Sequence, residues 1–490
     1  MLKSLSNIKG NQTEYFSGVN GIKKLYKLVA KNWHAKDTLY IAAAPVDSFK
    51  RLEKFFLEMI HKKRVQDKVI LKILINKDAE SYGIVRKNMP YTQVRFLDVK
   101  TTAEYGVLND LLFLVNYGDF PYAILIRDKK VADTYKEFFN ILWNHGRKIS
   151  IPPLIEDNES IDKIIAKYKK YNPIVITDPY NFEKIKKISQ AICVFDNKFE
   201  NVDKIKKIIA KKKNGIIIGF GGCAALDAAR MCSSKELPCI IVPSILSTVC
   251  ISIDKAVFSL DGKTKSFQTE VPKEIIFSLP IVKKTDHESL IKWAQSGFGD
   301  LFAKIGAAID VVFRETQKTK DMITVEKIRR KIPETMEALD WALNYFKNYS
   351  NRDLEHLAAF LHEASVSIIL QDSFELSGGG EHELAYNIER RFKKENNPWP
   401  THGQIVSIGT LIELKILAEI TSDSRLFDKV CKVYKKLKLP TNYKMLKKIG
   451  IEREYILQGI KNIKNIKNSN TLLGHNPALA LKLLDKIFEK

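Results

Sequence analysis

The spacing of apolar positions changes character twice along the chain. From residue 14 to about 146, short apolar runs alternate with amphipathic stretches. Ile22, Leu25, Tyr26 and Leu28 share one face of a helix over 14–34. Thr38–Ala44, Val69–Ile75, Gln93–Val99, Leu111–Asn116 and Tyr122–Ile126 have the length and branching of strands, and Phe49–His61 and Ala132–Trp143 read as helices. This predicts an α/β module over 1–150 without a glycine-rich phosphate turn. Ile151–Asn172 carries Pro152 and Pro153, an acidic patch of Glu156, Asp157 and Glu159, and a short lysine-rich helix. It is expected to be a linker over 151–172. From Pro173 the rhythm becomes regular: strand Ile174–Thr177, helix Phe182–Ser189, strand Ala191–Phe195, helix Val202–Lys211, then strand, turn and helix, then strand Cys239–Val242. Strands alternating with helices at this spacing predict a doubly wound parallel sheet, a nucleotide-binding α/β domain over 173–284. Beyond about 285 only helical periodicity remains, so 285–490 is expected to be an all-helical metal-binding domain. The fold class is α/β throughout the first two domains.

Within the parallel sheet the stretch GIIIGFGGCAALDAAR, Gly215–Arg230, stands out. An apolar run ends in Gly219, Gly221 and Gly222, and a helix opens at Ala224. Such a turn collects backbone N–H groups around one point, where a phosphate can sit. It lies at the C-terminal edge of the sheet, as does Pro243–Thr248.

Three short motifs in the helical half place polar side chains beside glycine: SGFGDLFAK with Asp300 and Lys304, SGGGEHELAY with Glu381, His382 and Tyr386, and THGQIVSIGT with His402. The glycines are expected to let a ligand or ion approach. One carboxylate and two imidazoles on apolar helices make a three-ligand metal site with an open fourth position. His356, His362 and His475 lack that setting and read as ordinary helix histidines.

Charge adds a basic field. The net charge is +23, from 80 Lys+Arg against 57 Asp+Glu, mostly lysine scattered along helices. Such a field attracts anionic metabolites, acidic lipids or nucleic acid. No zinc-finger spacing and no aromatic-interleaved basic motif is present, so specific nucleic-acid binding is not expected. Six cysteines without a CxxC pair read as small buried hydrophobes in a reducing cytosol. No secretion signal and no membrane span is expected, so the expected location is cytoplasmic.

Taken together, Gly221, Gly222, Asp227, Asp300, His382 and His402 resemble the motifs of the iron-containing alcohol dehydrogenase and dehydroquinate synthase superfamily, with the glycerol-1-phosphate dehydrogenase branch nearest, over about 173–440. The resemblance implies NAD or NADP bound at Gly221, Gly222, Cys223, Ala224, Asp227, Ser244 and Ser247. It implies one divalent metal, zinc before iron or nickel, on Asp300, His382 and His402, which are then also the catalytic residues. It implies a substrate contacted by Asp300, Lys304 and Tyr386, with Arg314 a further candidate for its phosphate. The implied reaction converts dihydroxyacetone phosphate to sn-glycerol-1-phosphate, the backbone of archaeal membrane lipids. Asp300, where the synthase branch has Glu, argues for the dehydrogenase side.

Four positions depart from the pattern. Cys223 replaces the third turn glycine and is expected to crowd the pyrophosphate. Arg230 replaces a lysine. Val249 stands where the branch has a substrate-binding Asp, for which Asp254 could substitute only with a rearranged loop. Tyr386 replaces the second His of a pair. Alternative readings are a related polyol or alcohol dehydrogenase, a dehydroquinate-synthase-like lyase, and a catalytically degenerate ligand-sensing regulatory protein. The stretches YFSGVNGIKKLYKLV and AILIRDKKVADTYKEFFNILW resemble the effector-binding domain of TrmB-type regulators, over about 13–146. That resemblance implies a second ligand or a protein partner at the N-terminal module. Its phospholipase-D-like relatives need a His-Lys-Asp spacing that His61, Lys63 and Asp67 miss, so no catalysis is carried over. The remaining expected partners are a small phosphorylated substrate and further copies of the chain.

Overall fold

A computed structural model describes residues 13–87, 89–146, 151–209, 215–260, 263–371, 375–376, 378–395, 400–463 and 470–489. Ser377 of the second motif and the lysines at 211–213 lie outside them. The chain forms two compact units, Met1–Ser150 and Ile151–Lys490.

In the first unit the strands are β1 (Thr13–Ser17), β2 (Thr38–Ala44), β3 (Ile70–Asn76), β4 (Thr92–Leu97), β5 (Ala103–Leu108), β6 (Leu111–Asn116) and β7 (Tyr122–Arg127). They form one sheet in the order β1-β7-β6-β5-β2-β3-β4, parallel only between β2, β3 and β4. The antiparallel half comes from hairpins: β5 and β6 turn over Asn109, whose φ of 53° suits asparagine. Thr13–Ser17 pairs with β7, so the helix expected from residue 14 begins only at Gly18. His61 sits buried against Arg86, and Asp67 pairs with Lys63 and Trp33, so these residues form no common site.

The second unit is built on a parallel six-stranded sheet. Its strands are β8 (Leu154–Glu156), β9 (Pro173–Thr177), β10 (Gln190–Cys193), β11 (Ile216–Gly221) and β12 (Cys239–Pro243). A hairpin of β13 (Lys255–Leu260) and β14 (Lys263–Gln268) precedes the last sheet strand, β15 (Glu274–Phe277). The order is β10-β9-β11-β12-β15-β8. Its inner strands β11 and β12 are buried along their whole length, as expected of strands covered on both faces. Ile174 and Ile176 of β9 pack with Ile217, Ile241 and Leu226 on one face, while Val175 packs with Ile216, Ile218 and Ile240 on the other. That second face is sealed by Ile161, Ile164 and Ile165, in the helix Ile161–Lys167. This corrects the linker expectation for 151–172. Leu154–Glu156 pairs in parallel with Ile275–Phe277, and the lysine-rich helix covers the sheet with its isoleucines. The prolines and acids that suggested a linker stand at the sheet's edge, where polar side chains meet water.

Among the described residues no strand follows Phe277. The helices that matter for the site are α1 (Cys223–Cys232), α2 (His287–Thr319), α3 (Pro333–Tyr345), α4 (Asn351–Gln371), α5 (Gly380–Glu395) and α6 (His402–Thr421). From Ala294 to Phe313, α2 is buried on every side, and α6 is buried from Gly403 to Leu414. Helices apolar all round sit in the centre of a bundle. Leu246, Val249, Ile251 and Ile253, in the loop after β12, insert into the same core and tie the sheet edge to the bundle. No described helix is long and apolar enough to cross a membrane.

Candidate active site

The glycine turn forms as the sequence predicts. β11 runs into Gly221, which has φ +140°, and a Cβ there would lie 2.2 Å from Oδ2 of Asp178. Only glycine fits a backbone so placed. Asp178 follows β9 directly, caps the next helix through Asn181 N–H and accepts Gly222 N–H at 3.1 Å. The turn opens on a cleft of about 740 Å³ lined by Asp178, Lys184, Gly222, Ser244, Lys284 and Trp293, among others.

The other residues expected at the cofactor divide. Cys223 is exposed as the first residue of α1, with Sγ 3.7 Å from Ser247 Oγ, and Ala224 packs half-buried against the sheet. The Ser247 carbonyl accepts from Ser296. Asp227 is a correction. It is buried and pairs with Arg230 at 2.5 Å, and Arg230 donates onward to the Ile251 carbonyl. That pair fastens α1 to the loop after β12. The replacement of Lys by Arg is explained by this fork, which reaches two partners at once.

Asp300 on α2, His382 on α5 and His402 on α6 come together, with one ligand atom of each within 4.8 Å of the others. Nε2 of His382 lies 3.5 Å from Oδ1 of Asp300, and the two imidazole centroids are 5.2 Å apart. Oδ2 of Asp300 accepts from Thr248 Oγ1 and from Val249 N–H, both at 2.8 Å. Nδ1 of His382 meets Glu381 Oε1 at 2.8 Å, and Nδ1 of His402 meets Glu389 Oε1 at 2.7 Å. In both rings a carboxylate holds one nitrogen, and Nε2 is the nitrogen left to face a ligand. Burial pushes Asp300 up, but the His382 hydrogen bond, the charges of His402 and His382, and the Val249 N–H hold it at about 2. Burial pulls His382 down, yet its bonds to Asp300 and Glu381 raise it to about 10. The spot between them is arranged to hold positive charge. A mixed carboxylate and imidazole donor set, each ring oriented by an outer carboxylate, fits a divalent metal such as zinc or iron.

Tyr386 lies one turn after His382, its ring stacked on His402 at 5.9 Å and partly exposed. Lys304, expected at the substrate, is a second correction. It is fully buried, its ammonium 3.0 Å from Glu334 and 2.5 Å from Ser367, facing α3 and α4. Four residues further along than Asp300, it turns toward a different neighbour. Arg314 faces Glu375. Val249 buries its side chain in the core and offers Asp300 its N–H, and Asp254 is held by Gln268 in the hairpin, so neither supplies an acid to the site.

The sequence reading missed Thr248, Glu389 and the role of Glu381. Glu389 is thirteen residues before His402 and shares no motif with it. Thr248 ends the stretch Pro243–Thr248 at the C-terminal edge of the sheet, and its hydroxyl there is the signal for it. Because Glu389 orients His402, Glu389→Gln is expected to weaken metal binding about ten- to hundredfold. A competition titration against a chelator measures it.

The glycines of the first and third motifs do something other than admit a ligand. A Cβ on Gly299 would stand 2.1 Å from the Gly403 carbonyl oxygen, and one on Gly403 would stand 1.8 Å from that of Ser296. They let α2 and α6 touch backbone to backbone, which brings Asp300 and His402 together.

No protein-family model matches the chain. A structure similar to it is that of a probable glycerol dehydrogenase from Sinorhizobium meliloti, with TM-score 0.51 and 17% identity over 69% of this chain and 99% of that one. The chain thus shares the fold of that protein over about two thirds of its length. Its similar curated sequences are glycerol-1-phosphate dehydrogenases (NAD(P)+). The one of Nitrosopumilus maritimus is 24% identical over 54% of this chain and 69% of its own length. That of Archaeoglobus fulgidus is 26% identical over 50% and 66%. A third, of Methanothrix thermoacetophila, is 24% identical over 43% and 57%, so the chain spans less than two thirds of the length of two of these three.

Proposed function

We propose that the second unit is an NAD(P)-linked, metal-dependent dehydrogenase acting on an alcohol group, and that its substrate pair is dihydroxyacetone phosphate and sn-glycerol-1-phosphate. One observation carries this: two imidazoles, each with Nδ1 tied to a carboxylate, turn toward one buried aspartate beside a nucleotide-sized cleft. The names of the similar sequences support the substrate.

Asp300, His382 and His402 would hold the metal. Bound there, a divalent ion supplies Lewis acidity to an alcohol or carbonyl oxygen, and the nicotinamide supplies or takes the hydride. The chain's own groups do the rest. Thr248 and Val249 keep Asp300 anionic and fixed. Glu381 and Glu389 keep both rings in one tautomer and orientation. The loop holding Asp300 continues from Ser244 and Ile245 in the cleft, and Trp293 of the cleft is two turns before Asp300 on α2. Cofactor cleft and polar cluster therefore share two elements. Tyr386, stacked on His402, would offer its hydroxyl to a substrate oxygen.

Lys184 and Lys284 line the cleft close enough to lower the Lys184 ammonium through their mutual contact. Two such cations suit the phosphates of a dinucleotide. Lys284→Glu is expected to raise KM for the reduced cofactor about tenfold or more with kcat little changed, read from steady-state kinetics.

The test is oxidation of NADH or NADPH by the zinc-loaded protein with dihydroxyacetone phosphate. Turnover with another polyol or aldehyde, and none with this ketone, rejects the substrate and keeps the class. Substrate-dependent phosphate release without net cofactor change would mean a lyase.

One observation favours a second reading, a non-catalytic sensor. The Gly222 N–H, which a phosphate would need, is taken by the Asp178 carboxylate. Retained metal without measurable cofactor affinity would establish that reading. For the first unit we propose a ligand- or partner-binding role.

A further inference from the structure

About three turns along from Asp300 on α2 and His402 on α6, and next to His382 on α5, the same three helices bring together a second set of side chains. Asp310 is ten residues after Asp300 on α2, Glu413 eleven after His402 on α6, and Glu381 adjoins His382 on α5. At about 3.6 residues per turn, Glu413 returns to the face of α6 that carries His402, while Asp310 sits about 80° round α2 from Asp300. One carboxylate oxygen of each of Asp310, Glu381 and Glu413 lies within 4.8 Å of the others, and all three residues are 0% exposed.

Three buried carboxylates need partners. Asp310 has them, accepting Gly380 N–H at 2.8 Å and Leu472 N–H at 2.6 Å. Glu381 uses only Oε1, toward Gly379 N–H and His382. Oε2 of Glu381 and both oxygens of Glu413 meet no donor among the described residues. Arg314, the cation that bears on Asp310, pairs with Glu375 instead. The carboxylates lie directly against glycines. A Cβ on Gly306 would lie 2.5 Å from Glu413 Oε2 and 2.9 Å from Glu381 Oε2. One on Gly379 would lie 2.3 Å from Asp310 Oδ2, and one on Gly380 2.3 Å from Glu413 Oε1.

We propose that Asp310, Glu381 and Glu413 form a second cation site, specific for a hard divalent ion of the magnesium, manganese or calcium class. The oxygen-only donor set excludes the softer preference of the first site. Oxygens no more than 4.8 Å apart match ligands around one such ion at about 2.0–2.6 Å. The unpartnered oxygens converge on the place where the ion would sit. Glu381 would join the two sites, giving one oxygen to His382 and the other to the ion. The proposal does not rest on the dehydrogenase reading, because its readout is bound metal.

The experiment uses the full chain, stripped by chelator and titrated with Mn2+ after one equivalent of zinc. We expect one bound Mn2+ per chain by electron paramagnetic resonance. E413Q should lower its affinity at least tenfold and leave the zinc content unchanged. Equal Mn2+ binding in wild type and E413Q, or none in wild type, overturns the site and leaves shared protons between the carboxyls. If E413Q does not fold, anomalous diffraction from Mn2+-soaked wild-type crystals decides. A peak among the three carboxylates supports the site, and no peak there overturns it.

Discussion

Asp300→Ala is expected to leave the protein folded, without stoichiometric metal, and with kcat/KM lowered at least about a thousandfold, or ~4 kcal/mol of transition-state stabilisation. Asp300 is the single carboxylate of its donor set, and both of its oxygens are engaged. Its removal leaves two imidazoles and frees the Thr248 hydroxyl and Val249 N–H. Three ligands with one open position is the usual catalytic arrangement, and two do not hold a divalent ion against dilution. Elemental analysis after gel filtration reads the first effect, and cofactor oxidation reads the second. Full metal content in the variant would refute the assignment of Asp300.

Gly403→Ala is expected to cost about 3 kcal/mol or more and to lose metal although no ligand is changed. The added carbon would meet the Ser296 carbonyl oxygen at 1.8 Å and its carbonyl carbon at 2.5 Å, and backbone cannot swing aside as a side chain can. The two helices must separate, carrying Asp300 away from His402. Gly222→Ala is the control. There the added carbon meets only the flexible end of Ile245, at 3.3 Å, and the expected change in melting temperature is small. Thermal denaturation of both variants, with metal analysis of the folded fraction, measures the difference. A stable, metal-replete Gly403→Ala protein would show that the close crossing is not what joins the site.

The N-terminal unit carries a different arrangement. The Glu104 carboxylate is buried between the Tyr26 and Tyr117 hydroxyls, and the Arg86 guanidinium is paired with Glu53. A cavity of about 30 Å³ lies among them, lined by Tyr26, Phe49, His61, Arg86 and Glu104. The regulator-like pattern of apolar positions gave no sign of this polar group, because its members are scattered from 26 to 117.

What sequence alone determined were features with a short-range signature. The parallel sheet was legible because strand, glycine turn and helix recur within thirty residues. The change to an all-helical half was legible because periodicity changes with it. Asp300, His382 and His402 were legible because each sits in a short motif. What only the tertiary structure decided depends on which helix faces which. Lys304 and Asp227 looked like ligand groups by position, and each was claimed by an internal partner, Glu334 and Arg230. Glycines 299 and 403 looked like room for a ligand and proved to be the contact between two helix backbones. The stretch 151–172 looked like a linker because its prolines and charges are local, whereas its strand exists only beside Ile275–Phe277, some 120 residues away. Local patterns follow from the geometry of one element. Partners for buried polar groups follow from crossings between elements, and no periodicity along the chain records those.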